Sequence, residues 1–174
     1  GYRWFIAPKP SFGSELRSSW NASIATALGP NSQSNFCWGG AMAIRRETFE
    51  RLDIREKWAG TLSDDFTLTR AAKEAGLDVI FVPQALTASV ENCSFGEMLE
   101  FTTRQMKITR VYAAKLWLMS LFGSSLFCGV MVSAFLISIL SRENGLPVWT
   151  ALATLVLVSA FSIGRSYLRL KAVR

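Results

Sequence analysis

The sequence predicts an α/β unit that runs into a two-helix transmembrane hairpin, and three observations carry this. Helix-period and strand-like segments alternate through residues 1–93. Two uncharged apolar runs, 116–140 and 146–164, close the chain. A membrane-crossing helix needs ~20 apolar residues at a rise of ~1.5 Å each, so both runs qualify. Finally, half of the 174 residues are apolar and only 18% are charged. That composition excludes a disordered or collagen-like chain. Together with the two runs it argues against a fully soluble one.

Each element has a local reason. Residues 2–6 are aromatic and strand-like, and Pro8 and Pro10 end them. Ser14 can cap a helix over 14–28 that Gly29-Pro30 stops. Its Leu16, Trp20, Ile24 and Leu28 follow four-residue steps, which predicts that this stripe packs inward. A polar loop, 31–35, leads to a small-residue stretch over 36–44 with Gly39-Gly40 at its centre. Arg45-Arg46 and a short helix near 48–52 follow. Residues 62–75 read as a helix with Ser63 as N-cap and Gly76 at its end. Residues 78–82 are a short β-rich strand closed by Pro83. So few strands cannot complete a sheet, and the unit looks like one flank of a larger nucleotide-type fold.

Ser94-Phe95-Gly96-Glu97 has the capping-box pattern and starts a further helix, read to 115. Phe95, Met98, Leu99, Phe101, Met106 and Tyr112 share one face of it. Arg104, Lys107, Arg110 and Lys115 share the opposite face. Such a helix suits the membrane surface directly before a span. It equally suits packing on the soluble unit with a solvated basic face. The chain thus divides at 1–93, 94–115, a hairpin over 116–164, and a basic tail over 165–174.

Charge follows the same division. Residues 1–115 carry 14 Lys and Arg against 12 Asp and Glu, whereas residues 116–174 carry five against one. The net +6 therefore gathers around the apolar runs, not on a basic stripe of the kind that binds nucleic acid. Lys107, Arg110 and Lys115 precede the first run; Arg165, Arg169, Lys171 and Arg174 follow the second. The loop 141–145 has only Arg142 and Glu143. Counting Lys and Arg places both flanks in the cytoplasm and the loop outside. Basic tails that grip anionic lipid would lie on the same side.

Residue chemistry narrows the function. The chain has no His, which removes imidazole bases, His-ligated metals and Ser–His or Cys–His triads. Cys37, Cys93 and Cys128 form no C-x-x-C pair, so neither a zinc knuckle nor a disulfide scaffold is indicated. No signal peptide opens the chain, which begins inside a packed-looking segment and is expected to lack its beginning.

Three features remain. Asp64-Asp65 opens the helix after Ser63, where the helix dipole favours an ionised carboxylate. An ionised Asp facing a cleft can take a proton from a substrate hydroxyl. It could instead hold a metal, and Asp is also common in first turns purely as a cap. Arg104, Gln105, Lys107 and Arg110 form a cationic series that can neutralise a diphosphate leaving group or bind lipid head groups. In Trp38-Gly39-Gly40 the glycines allow close approach to a ligand, and Trp38 can stack on a sugar; a tight core turn explains the same residues. The sequons at Asn21 and Asn92 read as chance matches.

Taken in order, these stretches resemble the second half of a membrane-bound family 2/21-type glycosyltransferase, with ceramide glucosyltransferases and their bacterial relatives the nearest likeness. Tyr2-Arg3-Trp4 leads into Leu16-Arg17-Ser18-Ser19-Trp20-Asn21. The stretch from Phe36 to Arg46 is similar to the family's glycine-containing acceptor-side strand. Ser63-Asp64-Asp65-Phe66 is similar to its third conserved aspartate. Arg104-Gln105-Met106-Lys107-Ile108 sits where the family has (Q/R)-x-x-R-W. The likeness spans roughly 1–115 and the hairpin.

The resemblance implies a partial GT-A-type domain and inverting transfer from a nucleotide sugar, expected to be UDP-glucose, to a lipid acceptor at the membrane. By the same resemblance Asp65 is the general base, Asp64 supports it, and Arg104 and Lys107 stabilise the diphosphate. Two departures stand out. Lys107 replaces Arg, so a bidentate fork becomes a point charge, and Ile108 replaces Trp. The family also implies Mg²⁺ or Mn²⁺, with ligands in acidic motifs that precede this region. The 174 residues alone are therefore expected to be inactive. Two other readings fit the topology: a non-catalytic hairpin with a cytoplasmic adaptor domain, and a processive polysaccharide synthase of the same superfamily. The ordered Gly-Gly, Asp-Asp and Arg-x-x-Lys set opposes the first. The altered signature and the single hairpin oppose the second.

Overall fold

The computed structural model describes residues 2–141 and 145–173. It is mostly helical. β1 (Tyr2–Ile6) precedes α1 (Phe12–Ala25), and two short helices follow, α2 (Arg46–Arg51) and α3 (Ile54–Trp58). Then come α4 (Asp64–Glu74), a 3₁₀ turn at Pro83–Ala85 and β2 (Leu86–Val90). α5 (Phe95–Tyr112), α6 (Ala114–Leu140) and α7 (Leu146–Val173) complete it. β1 and β2 pair in parallel, from Tyr2 opposite Leu86 to Ile6 opposite Val90.

The strand expected over 78–82 is not formed. That segment runs irregularly, with Ile80 and Val82 exposed. The strand lies after Pro83, because β1 supplies a partner there: the ladder continues as Glu91 N–H donates to the Ile6 carbonyl at 3.1 Å. Apolar alternation makes a strand only where a neighbour takes its backbone groups. The stretch expected as a strand around Gly39-Gly40 is likewise irregular, turning at the two glycines.

α1 differs from expectation at both ends and in its buried face. Its cap is Ser11, whose side chain accepts from the Ser14 amide. Ser14 is buried inside the helix. Its hydroxyl donates to the Cys93 carbonyl (3.2 Å) and accepts from the Cys93 amide (3.0 Å). The helix stops at Ala25 with Thr26 as C-cap. The buried side is Gly13, Ser14, Arg17, Ser18, Asn21, Ala22 and Ala25, and Leu16 is exposed. Three elements crowd this face, since β1, α5 and the end of α7 all pack on α1, and besides Arg17 and Asn21 it is made of small residues. A Cβ on Gly13 would stand 2.5 Å from the Ser94 carbonyl carbon, so only glycine lets α1 and the start of α5 meet.

α4 matches its sequence signals closely. Ser63 caps it, accepting from the Phe66 amide. Gly76 has φ +66, with Gly76 N–H on the Lys73 carbonyl and Leu77 N–H on the Ala72 carbonyl. This is a Schellman stop. Ile54 at the start of α3 is fully buried against Leu68 and Ala71 of α4, with Cys37, Met42, Phe49, Leu52 and Trp58 around them. Burying an Ile side chain contributes about 1.5–3 kcal/mol. This cluster ties α4 to the loop that carries Gly39.

α5 has a complete capping box at Ser94 and Glu97. Phe101 meets Phe5 and Trp20 edge-on, at 6.0 and 5.6 Å between ring centroids. Phe95 stacks on Phe12, and Met98 is buried. Much of its apolar face is thus taken up by α1 and β1. The helix ends at Tyr112, not 115, because Ala113 leaves helical geometry (φ −139, ψ 58). Lys115 therefore belongs to α6, off the α5 face.

α6 and α7 pack on each other and are long and apolar enough to cross a membrane. Their apolar stretches are mostly exposed, so they are not core helices of the first unit. The expected basic tail is not a separate segment. α7 continues as helix to Val173, and Leu170 packs against Ala22, Ala25 and Leu28. The expected outer-loop residues Arg142, Glu143 and Asn144 lie outside the described residues.

Candidate functional site

The start of α4 and the glycine turn meet. Asp65 Oδ2 accepts the Gly39 amide at 3.0 Å. Its Oδ1 accepts the Phe66 amide at 2.8 Å and the Ser63 hydroxyl. Asp65 is half-buried and Asp64 exposed. Asp64 Oδ1 accepts the Asp65 amide at 3.0 Å. Both carboxylates sit where the α4 dipole and its free amides favour negative charge.

Gly39 makes room for this approach. A Cβ there would lie 3.3 Å from Asp65 Oδ2 and 3.8 Å from Asp64 Oδ1. Gly40 has φ +94, a conformation that side chains rarely adopt. The glycines are expected from the sequence to let backbone approach a ligand; in the fold Gly39 closely approaches the carboxylate pair.

The surrounding groups brace the pair. Thr69 donates its hydroxyl to the Asp65 carbonyl (2.8 Å) and accepts the Cys37 amide (2.9 Å). Trp58 Nε1–H donates to the Asp64 carbonyl at 3.0 Å. Burial pushes the Cys37 thiol up, the hydrogen bond to Thr69 partly offsets this, and the Asp65 charge adds to the rise. Cys37 is thus held as a thiol and not as a nucleophile. Trp38 is half-buried against the Ala22–Ala25–Leu28 cluster, and it lines a cavity of about 780 Å³ with Met42, Ile44, Ile80 and Phe81.

The cationic series is not gathered in the same way. Arg104 and Lys107 are exposed, and no hydrogen bond or ion pair joins them to Asp64 or Asp65. Arg110 reaches over the Trp117 ring at 5.2 Å, spanning the break between α5 and α6. Gln105 is half-buried on the inner side of α5. The α5 residue that does reach the acidic pair's loop is Tyr112. Its phenol oxygen accepts the amides of Leu62 (2.7 Å) and Ser63 (3.3 Å). Sequence reasoning places Tyr112 only on the apolar face. Its one local signal is an aromatic hydroxyl a turn after Ile108.

A divalent cation wants several oxygen ligands around one point. Among the described residues no three His, Cys, Asp or Glu side chains stand together. Three protein donors already occupy Asp65, which leaves about one of its lone-pair sites free. The donor set here does not form a metal cage.

A carboxylate at a helix start beside a backbone turn can take a proton from a hydroxyl, and the same geometry serves as a helix cap. Residues 12–163 match the model of the glycosyl transferase family group 2, and the chain belongs to that family. It is a glycosyltransferase, and the family implies a nucleotide-sugar donor and an acceptor substrate. Members commonly use divalent metals. No curated protein and no solved structure matches the chain. The matched region includes α6 and most of α7, so the apolar helices belong to the enzyme and the adaptor reading is set aside.

Proposed function

We propose that this protein is an inverting glycosyltransferase that moves a sugar, glucose by resemblance, from a nucleotide sugar to the hydroxyl of a membrane lipid such as ceramide. The observation that carries the reading is the Asp65 carboxylate, fixed against the Gly39 amide at the start of α4. In this reading Asp65 takes the proton of the acceptor hydroxyl as that oxygen attacks the anomeric carbon. The bond from that carbon to the diphosphate breaks in the same displacement, so configuration inverts and the nucleoside diphosphate leaves. Asp64 holds the Asp65 amide. Arg104 and Lys107 offset the charge that develops on the diphosphate, and Trp38 and Gly39-Gly40 border the acceptor.

The lipid acceptor is supported by connectivity. α5 passes into the apolar α6 after a single non-helical residue. The side is supported by the return of α7 to α1, which leaves the catalytic unit at one end of both apolar helices. The Lys and Arg asymmetry supports the cytoplasmic side for that unit, where nucleotide sugars are made and from which such a charged donor cannot cross a bilayer unaided. The reading expects a GT-A-type domain in the full-length enzyme.

The test is transfer by the full-length enzyme in bilayers from radiolabelled UDP-glucose. Ceramide, a glycerolipid and a soluble glucan are offered as acceptors. Label in the ceramide fraction supports the reading; label only in a growing glucan replaces it with a processive synthase. In a background lacking Cys37, Cys93 and Cys128, Asn144→Cys should react with an impermeant thiol reagent on intact cells, and Ser166→Cys should not. The reverse pattern would sink the cytoplasmic assignment.

A further inference from the structure

Tyr112 is the last residue of α5, directly before the non-helical Ala113 and the start of α6. It holds the beginning of α4 at three points. Its phenol oxygen accepts the Leu62 and Ser63 amides. Its ring stacks on Phe66, with centroids 5.8 Å apart and 20° between planes. Its carbonyl accepts Arg70 Nη2–H at 3.4 Å. Ser63 in turn donates its hydroxyl to Asp65 Oδ1. The path from phenol to carboxylate is therefore one residue long: the Ser63 amide on one side, the Ser63 hydroxyl on the other.

We propose that Tyr112 is a positioning residue for glycosyl transfer, aiming the Asp65 carboxylate through Ser63 and linking that aim to the point where the chain enters its first apolar helix. The proposal rests on the reading of Asp65 as the base. Its chemistry follows from what each part can do. A phenol oxygen has two lone pairs, and both meet backbone amides here. Phenylalanine would keep the stack and lose the acceptor. Leu62 is exposed, so water can reach its freed amide, whereas Ser63 is buried and its amide loses this acceptor. The Ser63 backbone would then be held less closely, and a base displaced by a fraction of an ångström loses rate more than affinity.

Three variants of the full-length enzyme in bilayers test this: Tyr112→Phe, Phe66→Leu and Asp65→Asn. Tyr112→Phe should lower kcat about tenfold, the order set by one hydrogen bond, with donor KM within about twofold. Hydrogen exchange at the Leu62 and Ser63 amides should quicken while the rest of α4 keeps its protection. Phe66→Leu, which leaves the phenol oxygen in reach, should cost less, about two- to threefold in kcat, the order of one aromatic pair. If Asp65→Asn abolishes turnover and Tyr112→Phe turns over like wild type, the positioning role is overturned and the base assignment stands. If Asp65→Asn turns over normally, both fall together. Loss of protection throughout α4 in Tyr112→Phe would mean that the hydroxyl holds the fold and not the aim, and would overturn the proposal as well.

Discussion

The acidic and basic halves of the candidate site are built by different means. Asp65 is placed by tertiary contacts: the Gly39 amide from one loop, Ser63 and Phe66 from its own helix start, and Thr69 bridging its carbonyl to Cys37. Arg104 and Lys107 are placed by helix geometry alone, three residues apart on the exposed side of α5. A carboxylate fixed from several directions is preorganised before substrate arrives, and preorganised charge is the largest catalytic contribution in many enzymes. Cations on flexible stems order only when a ligand draws them in, at a cost in side-chain entropy. Under the proposed mechanism, the base is set in the folded chain and the cations order when the diphosphate binds.

Four changes break or sharpen that contrast. The largest effect is expected from Asp65→Asn, which keeps the shape but cannot take the proton. Losing general-base help removes about 10²–10⁴ in rate. Turnover measured beside donor affinity checks it, and near-wild-type turnover would leave Asp65 a capping residue.

Next come Arg104→Gln and Lys107→Gln. If these cations meet the diphosphate, each should lower kcat by about 10²–10³, the scale of one lost transition-state donor. Membrane attachment should persist, because the apolar helices provide it. Unchanged turnover, together with weaker binding of the helix to anionic vesicles, would make them lipid contacts instead.

Gly39→Ala should act on the acidic half without replacing either carboxylate. The added Cβ would press on Asp65 Oδ2 at 3.3 Å. We expect a fall in kcat of about tenfold, as for one disturbed hydrogen bond, with helix content unchanged by circular dichroism.

The smallest effect concerns the α5 cap and appears only with pH. Hydrogen bonds from the Ser94 amide and hydroxyl hold the Glu97 carboxyl below its usual range. A depressed carboxylate contributes stability above its unfolded pKa and loses it as pH falls through the folded one. Wild-type α5 should therefore fray at its N-terminus below the ordinary Glu range. Glu97→Gln should show little of that acid dependence, read as amide exchange at Phe95–Glu97 against pH.

What could be read from the sequence was local. Ser63 and Ser94 begin their helices as their spacing predicts, and Gly76 ends α4. Two uncharged runs become two long apolar helices. Caps, stops and uniform apolarity act within about one helical turn or along one continuous stretch, so no distant partner is needed to recognise them. The acidic pair was legible for the same reason, because Asp64-Asp65 follows its own cap.

Only the tertiary structure decided the rest. The cap of α1 is Ser11 and not the expected Ser14, which is buried one turn further in with its hydroxyl on the Cys93 backbone. The strand moved from 78–82 to Leu86–Val90 because β1 was there to pair with it. Besides Arg17 and Asn21, the inner face of α1 went to small residues such as Gly13, Ser14, Ala22 and Ala25, on a side that three elements crowd. Tyr112, which the sequence placed only on the apolar face of α5, reaches the amides that open the acidic loop. Each of these outcomes depends on groups distant in the chain meeting in space, where steric fit and unsatisfied backbone donors choose between residues that are locally equivalent.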